Sequence, residues 1–153
     1  MKHIHQMKLL ATIFAFSLPL TSFSAIAADT MPPQAAVAHD HEKVIFQVSD
    51  AVPGKWNLTL NNAKNVQDAI GKNNVDVEIV VYGPGIDMLK LESEVGNRIA
   101  KSLADGVKIV ACENTMKNMK LTQANMLPSI GYVPGGVVEL MRKQKEGWAY
   151  IRP

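Results

Sequence analysis

One thiol stands where the character of the sequence changes. Cys112, the only cysteine of the chain, ends the apolar run KIVAC, and the ENT that follows is typical of the first turn of a helix. Unpaired backbone N–H groups and the positive end of a helix dipole both favour thiolate over thiol, and thiolate is the reactive form. The pattern indicates a nucleophilic cysteine or a sulfur carrier. The alternative is a small apolar residue that packs at the end of the strand.

The remaining side chains do not complete a protease-type or metal-binding set around this thiol. His39 and His41 lie in a stretch without apolar periodicity, so they supply no fixed base for a Cys–His mechanism. Cys112, Met116 and Met119 resemble a thioether-rich copper(I) set, although methionines at helical spacing more often fill a core. We therefore expect no metal site and no cofactor, with a copper(I) or redox-stress protein left as an alternative.

Runs of strand type and of helix type alternate along the chain. The predicted strands are KVIFQVS (43–49), VDVEIVVY (75–82), VKIVAC (107–112), IGYV (130–133) and WAYIR (148–152). The predicted helices cover 55–70, about 95–105 and 137–146, and 114–127 is expected to be broken helix. This alternation predicts right-handed crossovers, a mostly parallel five-stranded sheet and a three-layer α/β/α sandwich.

Short polar or glycine-rich segments follow the first three predicted strands. They are SDAVPG, YGPG and CENT, and they should meet at the carboxyl edge of the sheet, where open α/β sheets bind ligands. The glycines let backbone N–H groups approach an anion, but a P-loop lysine and hydroxyl are missing, so turn geometry is the simpler explanation. A thiol at this edge is expected to be partly exposed. The residues expected to line its pocket are Asp50, Gly83, Gly85, Asn114 and Thr115.

The N-terminus has the pattern of a secretory signal peptide. A basic start, MKHIHQMK, precedes the apolar run LLATIFAFSLPL, which is too short to span a bilayer, and the AIA at 25–27 suits a signal peptidase. We predict a signal peptide at 1–27, a flexible lead-in at 28–42 and one α/β domain at 43–153. The predicted location is periplasmic, with no membrane association after cleavage.

The balance of charge argues against a nucleic-acid partner. The chain has 16 Lys and Arg against 14 Asp and Glu. Removal of 1–27 takes away Lys2 and Lys8 and no acidic residue, so 14 of each sign remain. A domain with no excess of positive charge lacks the basic surface that binding to phosphates requires.

Four stretches together resemble the DsrE/DsrF-like family, in particular its exported single-domain branch. They are KVIFQVSDAVPGKWNLTLNNAKNV, IVVYGPGIDMLK, GVKIVACENTMK and VPGGVVELMRKQKEGWAYIRP. The resemblance implies a five-stranded α/β/α fold, oligomers of identical or similar subunits, and a part in sulfur metabolism and sulfur relay. It also implies that Cys112 carries sulfur as a persulfide between a donor and an acceptor protein, as a sulfur carrier or sulfurtransferase. The alternative is a non-catalytic oligomeric module that binds a small ligand and in which Cys112 is structural.

The C-terminal third has the composition of an interface between copies of the chain. Tyr132, Met141, Trp148 and Tyr150 are expected to be exposed near the last strands. A cluster of aromatic residues and methionine beside a short edge strand is typical of an interface core. We predict a closed homo-oligomer, a trimer or a hexamer, because cyclic symmetry buries the same patch on every subunit.

Overall fold

Five strands lie side by side and parallel, with a helical connection between each strand and the next. The structure is a computed structural model that describes residues 41–153. The strands are β1 Glu42–Val48, β2 Val75–Val81, β3 Lys108–Cys112, β4 Gly131–Val133 and β5 Ala149–Ile151. Their order is β4-β3-β2-β1-β5, and every pairing is parallel. The predicted parallel sheet is confirmed, and the strand ends differ from the predicted ones by about one residue.

The helices begin and end close to the predicted positions. The α-helices are α1 Pro53–Ile70, α2 Gly96–Ala104, α3 Glu113–Asn118 and α4 Gly136–Lys145. Pro53 suits the first turn of α1 because its ring fixes φ, and Gly71 ends the helix with a positive φ of 94°. The sharp loop expected at YGPG is instead the start of a 3₁₀ helix, Gly83–Leu89. A second 3₁₀ helix, Gln123–Asn125, follows α3, which agrees with the predicted broken helix.

The two faces of the sheet are covered unequally. Side chains alternate between the faces along each strand, and those on one face join α1, α2 and α3 in the main core. Trp56, Leu60 and Ile99 are among the helical residues buried there. On the other face, which we call the α4 face, Leu140 of α4 packs into a small cluster. Its strand members are Ile45, Val80, Val110 and Val133. The predicted three-layer architecture is confirmed, with a thin layer on the α4 face.

Two aromatic residues that were expected at the surface are packed instead. Tyr132 packs against the main core because β4 points it at that face. Trp148 packs against the α4-face cluster, and Lys143 Nζ lies 4.6 Å from the centre of its ring. Met141 and Tyr150 are exposed, at 50% and 40%. Tyr132 and Trp148 are therefore partly buried and less exposed than expected.

Regular structure begins slightly before the predicted end of the lead-in. Glu42 is the first residue of β1, and His41 Nε2 lies 2.9 Å from Asp76 Oδ1 of β2. The predicted signal peptide and the lead-in up to residue 40, including His39, lie outside the described residues and stay predictions. Within residues 41–153, no helix combines the length and the apolar character that crossing a membrane requires.

A fully buried carboxylate lies on the α4 face. Glu78 of β2 is 0% exposed. Lys108 Nζ donates to Glu78 Oε2 at 3.1 Å, whereas Oε1 has no hydrogen-bond partner among the described residues. Burial raises the pKa of Glu78 and the nearby Glu139 adds to this, while Lys108 and Lys143 offset it only in part. The uncharged form of this carboxyl group is therefore favoured by the fold more than it is in water.

Candidate functional site

Cys112 connects β3 to α3 on the α4 face of the sheet. It is the last residue of β3 and caps α3 with an extended backbone, φ −76° and ψ 112°. The side chain is 4% exposed. The expected partial exposure of the thiol is therefore wrong, because the segment that starts α4 lies against the sulfur.

The sulfur of Cys112 accepts hydrogen bonds from two separate segments of the chain. The Gly136 N–H at the start of α4 donates to Sγ at 3.2 Å, and the Thr115 N–H of α3 donates at 3.5 Å. The hydroxyl of Thr115 lies near the same sulfur and acts in the same direction, lowering the pKa of the thiol. Each of these donors stabilises a negative charge on sulfur more than it stabilises a neutral thiol.

Two opposing effects set the acidity of this thiol. Burial raises the pKa of Cys112, because a charge is less stable away from water. The nearby Thr115 hydroxyl lowers the pKa, as do the Gly136, Thr115 and Asn114 amides, and together these polar groups outweigh burial. The net pKa of Cys112 lies below its ordinary value, so the fold favours the thiolate that nucleophilic chemistry requires.

Thr115 and Gly83 are the two predicted pocket residues that the fold links to the sulfur. Thr115 donates its N–H to Cys112, and its Oγ1 accepts the N–H of Gly83 at 3.0 Å. Gly83 opens the 3₁₀ helix after β2 with a φ of 53°, a left-handed conformation that glycine adopts without strain. Thr115 therefore joins the end of β2, through its hydroxyl, to the thiol at the end of β3, through its N–H.

Asn114 and Gly85 occupy different places near this edge. Asn114 is exposed, and its N–H donates to the Pro134 carbonyl at 3.3 Å, which ties the start of α3 to the end of β4. Gly85 is buried, and a Cβ there would lie 2.7 Å from the Val48 carbonyl oxygen. Gly85 thus allows the 3₁₀ helix to pack on the end of β1, which is a structural role.

The structure does not bring the carboxylate of Asp50 to the thiol. Asp50 Oδ2 lies 2.8 Å from Lys55 Nζ and 3.5 Å from Arg152 Nη2, and within residues 41–153 it makes no hydrogen bond or ion pair with Cys112. The hydrogen bond from Lys55 lowers the pKa of Asp50, so this carboxyl group is charged at neutral pH. Its place is an ion cluster between β1, α1 and the C-terminus.

Gly136 contacts the sulfur of Cys112 but is not among the residues that the sequence predicted there. It lies in VPGG, which follows β4 just as CENT follows β3. The rule that parallel strands present their carboxyl ends at one edge applies equally to β4 and would have added this segment to the edge. Among residues 41–153 there is no group of three or more His, Cys, Asp or Glu side chains placed to hold a metal ion.

Known structures share this fold. A protein of unknown function from Methanobacterium thermoautotrophicum is 29% identical, with a TM-score of 0.70 over 73% of this chain and 99% of the other. A conserved protein of unknown function from Bacteroides thetaiotaomicron is 17% identical, with a TM-score of 0.58 over 78% of this chain and 99% of its own, and it shows the fold alone. No curated protein matches the chain. A family model described as DsrE/DsrF-like matches residues 34–153, and the chain therefore belongs to this family, which is associated with sulfur metabolism.

Proposed function

We propose that the protein binds and transfers sulfane sulfur, with Cys112 as a persulfide carrier. The observation that carries this proposal is the set of hydrogen bonds from Thr115 and Gly136 to Cys112 Sγ, at the carboxyl edge of a parallel sheet. Donors from two segments favour a thiolate in a place where burial alone would favour a thiol. Membership of a family associated with sulfur metabolism supports the same chemistry.

Loading is a displacement at sulfur that needs no external oxidant. The Cys112 thiolate attacks the outer sulfur of a sulfane donor such as thiosulfate and forms a new S–S bond. The S–S bond of thiosulfate breaks, and sulfite leaves with the electron pair. Unloading reverses these roles: an acceptor thiolate attacks the outer sulfur, and Cys112 leaves as a thiolate. The donors that activate Cys112 in the first step stabilise it as the leaving group in the second.

Access to the sulfur constrains the donor. Because only 4% of Cys112 is exposed, a sulfur donor reaches it only if the first turn of α4 or the segment beside it moves away. Asn114 and Pro134 are both exposed, and the hydrogen bond between their backbones is 3.3 Å long. A single bond of this kind at the surface opens more readily than the sheet beneath it. Small sulfane donors are therefore the expected substrates for direct loading.

Intact mass spectrometry tests this proposal. After exposure to thiosulfate or polysulfide, we expect the protein to gain the mass of one sulfur atom and to lose it on reduction. Cys112→Ser is the matched control and should gain nothing. Unchanged mass of the wild-type protein with both donors, under conditions that label the thiol with a small alkylating reagent, would rule out the carrier function.

Burial of the thiol favours one alternative. A cysteine that is 4% exposed is also what a structural role predicts, in which the protein is a non-catalytic oligomeric module that binds a small ligand. Replacement of Cys112 by Ala separates the two functions. A structural role predicts a large loss of stability and no sulfur loading in the wild type, whereas a carrier loses sulfur loading and keeps most of its stability.

The proposed compartment is the periplasm, and the proposed partner is a sulfur donor or acceptor protein. The basic and apolar pattern of residues 1–27 supports export. Fractionation of cells that express the full chain, with N-terminal sequencing of the product, tests this. A product that begins at or next to residue 28 in the periplasmic fraction is expected. A full-length chain retained in the cytoplasm would contradict it.

We also propose that the protein is a closed homo-oligomer, as a trimer or hexamer, that uses the outer side of α4. Val137, Val138 and Met141 are 61%, 44% and 50% exposed and recur at helical spacing, so they form one apolar stripe. Light scattering behind size exclusion tests the proposal. Met141→Lys is expected to lower the measured mass to that of one chain. A wild-type protein with the mass of one chain would contradict the proposal.

A further inference from the structure

The position of α4 over Cys112 depends on two buried residues. Gly136 and Leu140 are the buried residues of this helix, and they are one turn apart, so they face the sheet together. Leu140 fixes the second turn in the small cluster of the α4 face. Gly136 fixes the first turn, and its N–H donates to Cys112 Sγ at 3.2 Å. The side chain that packs against Gly136 therefore sets the distance between the Gly136 N–H and the sulfur of Cys112.

Gly136 packs against the side chain of Tyr82, at its Cβ and the near edge of its ring. A Cβ at Gly136 would lie 2.9 Å from Tyr82 Cβ, which is closer than real Cβ contacts, and 3.0 Å and 3.1 Å from Cδ1 and Cγ, which is tighter than most of them. Tyr82 cannot easily move away, because its N–H donates to the Val48 carbonyl at 3.1 Å at the edge of the sheet. Only glycine allows α4's first turn to come this close.

The other end of the tyrosine ring lies beside a chain of polar side chains. The Tyr150 hydroxyl donates to Gln47 Oε1 at 2.5 Å, and Gln47 Nε2 donates to Ser49 Oγ at 3.1 Å. The hydroxyl of Ser49 lies near that of Tyr82 and lowers the pKa of Tyr82, although burial outweighs it. Tyr82 thus lies between this chain of hydrogen bonds and the first turn of α4.

We propose that Tyr82 is a positioning residue for Cys112, and that its ring is the surface that holds the Gly136 N–H at the sulfur. The proposal rests on the proposed function only in its choice of thiol, since it concerns a donor to Cys112 whatever the thiol then reacts with. In this proposal, the close contact between Tyr82 and Gly136 keeps the first turn of α4, one of the two donor segments, in place.

Two neighbouring glycines provide a matched experiment. Gly136→Ala forces α4's first turn away from Tyr82. Gly135→Ala adds the same methyl group one residue earlier, where it meets Val138 Cγ2 at 3.5 Å, an ordinary contact. The absorbance of the thiolate is followed against pH in the wild-type protein and in both variants. In Gly136→Ala we expect the acid dissociation constant of Cys112 to fall about tenfold, the effect of one lost hydrogen bond to a charged group. In Gly135→Ala it should stay as in the wild type.

Substitution of the tyrosine tests the ring and the hydroxyl separately. Tyr82→Phe keeps every atom that contacts Gly136, so the acid dissociation constant of Cys112 should stay close to that of the wild type. Tyr82→Ala removes the ring and should lower it in the same direction as Gly136→Ala. This second pair of variants decides the matter if Gly136→Ala does not fold.

The results that overturn the proposal are distinct from those that overturn the sulfur-carrier function. A folded Gly136→Ala with the wild-type thiol titration would show that the contact does not position the donor. Equal effects of Tyr82→Phe and Tyr82→Ala would show that the ring is not the positioning element. A wild-type protein that never gains sulfur, yet responds to these variants as expected, would remove the carrier function and leave the positioning role intact.

Discussion

Two buried ionisable side chains on the α4 face behave in opposite ways. Cys112 lies at the carboxyl edge of the sheet and receives hydrogen bonds from Thr115 and Gly136, so the fold favours its charged form. Glu78 lies further back in β2, with one carboxylate oxygen bonded to Lys108 and the other without a partner among residues 41–153, so the fold raises its pKa and shifts it toward the neutral form. Burial raises the pKa of both groups. The difference lies in the number of donors, and donors gather where strands end and helices begin.

The largest expected effect is at the thiol itself. Cys112→Ser should abolish sulfur loading, because a serine hydroxyl is not ionised at neutral pH and is a poor nucleophile toward sulfur. The fold should persist, since serine has nearly the same size and accepts the same N–H groups. Intact mass after thiosulfate, together with circular dichroism, checks both points. A variant that fails to fold would show that the cysteine is mainly a packing residue.

Substitution of Thr115 sharpens the comparison, because it removes one of the polar groups that favour the thiolate of Cys112. Thr115→Val keeps the shape of the side chain but loses its hydroxyl, which lowers the pKa of Cys112 and accepts the N–H of Gly83. We expect the acid dissociation constant of Cys112 to fall about tenfold, the scale of one hydrogen bond to a charged group. Thiolate absorbance against pH measures this. Thr115→Ser restores the hydroxyl and should restore the titration; equal titrations of the Val and Ser variants would contradict the role of the hydroxyl.

Glu78 allows the opposite test, in which a charge is removed and stability rises. Burial raises the native pKa of Glu78 above its unfolded value. Its contribution to stability is therefore fully present below the unfolded pKa and is lost as the pH rises through the native pKa. Glu78→Gln should thus raise the free energy of unfolding at pH 7 by about 1 kcal/mol, the scale of one buried polar group. The gain should shrink toward acidic pH. Urea unfolding at several pH values measures it, and a loss of stability at pH 7 would mean that the pair with Lys108 dominates.

The smallest effect is expected at an exposed pair. His41 and Asp76 approach to 2.9 Å, but 47% and 52% of their side chains are exposed. Pairs of this kind contribute little because water and salt screen them. His41→Ala should change the free energy of unfolding by less than about 0.5 kcal/mol. A larger loss in urea unfolding would show that the segment before β1 is part of the core structure.

The fold could be predicted from the sequence because its signals are local. Apolar runs such as VDVEIVV and KIVAC are too apolar for an exposed strand, and each is followed by glycine or by a helix start, so parallel strands follow. Cys112 could be placed at a strand end for the same reason. Its burial could not be predicted, because it depends on the α4 segment, 24 residues later in the chain.

Two further features also depend on contacts that are distant in sequence. YGPG has the composition of a turn, and it forms the start of a 3₁₀ helix because the Gly85 N–H finds the carbonyl of Ser49 at the end of β1. In the sequence, Glu78 has the pattern of an ordinary polar residue in an alternating strand. Its burial depends on α4, which is distant in sequence and packs on this face of the sheet. Asp50 follows β1 at the predicted edge, but Lys55 and Arg152 pair with it away from the thiol.

The most direct measurement for the central claim is the rate of sulfur loading of Cys112 as a function of pH. Intact mass at short times after mixing with thiosulfate gives the rate between about pH 5 and pH 10. If the donors from Thr115 and Gly136 stabilise a reactive thiolate, the rate should reach half of its maximum at a pH clearly below about 8.5, the ordinary pKa of a cysteine. A midpoint at or above that pH, or no loading at any pH, would contradict it.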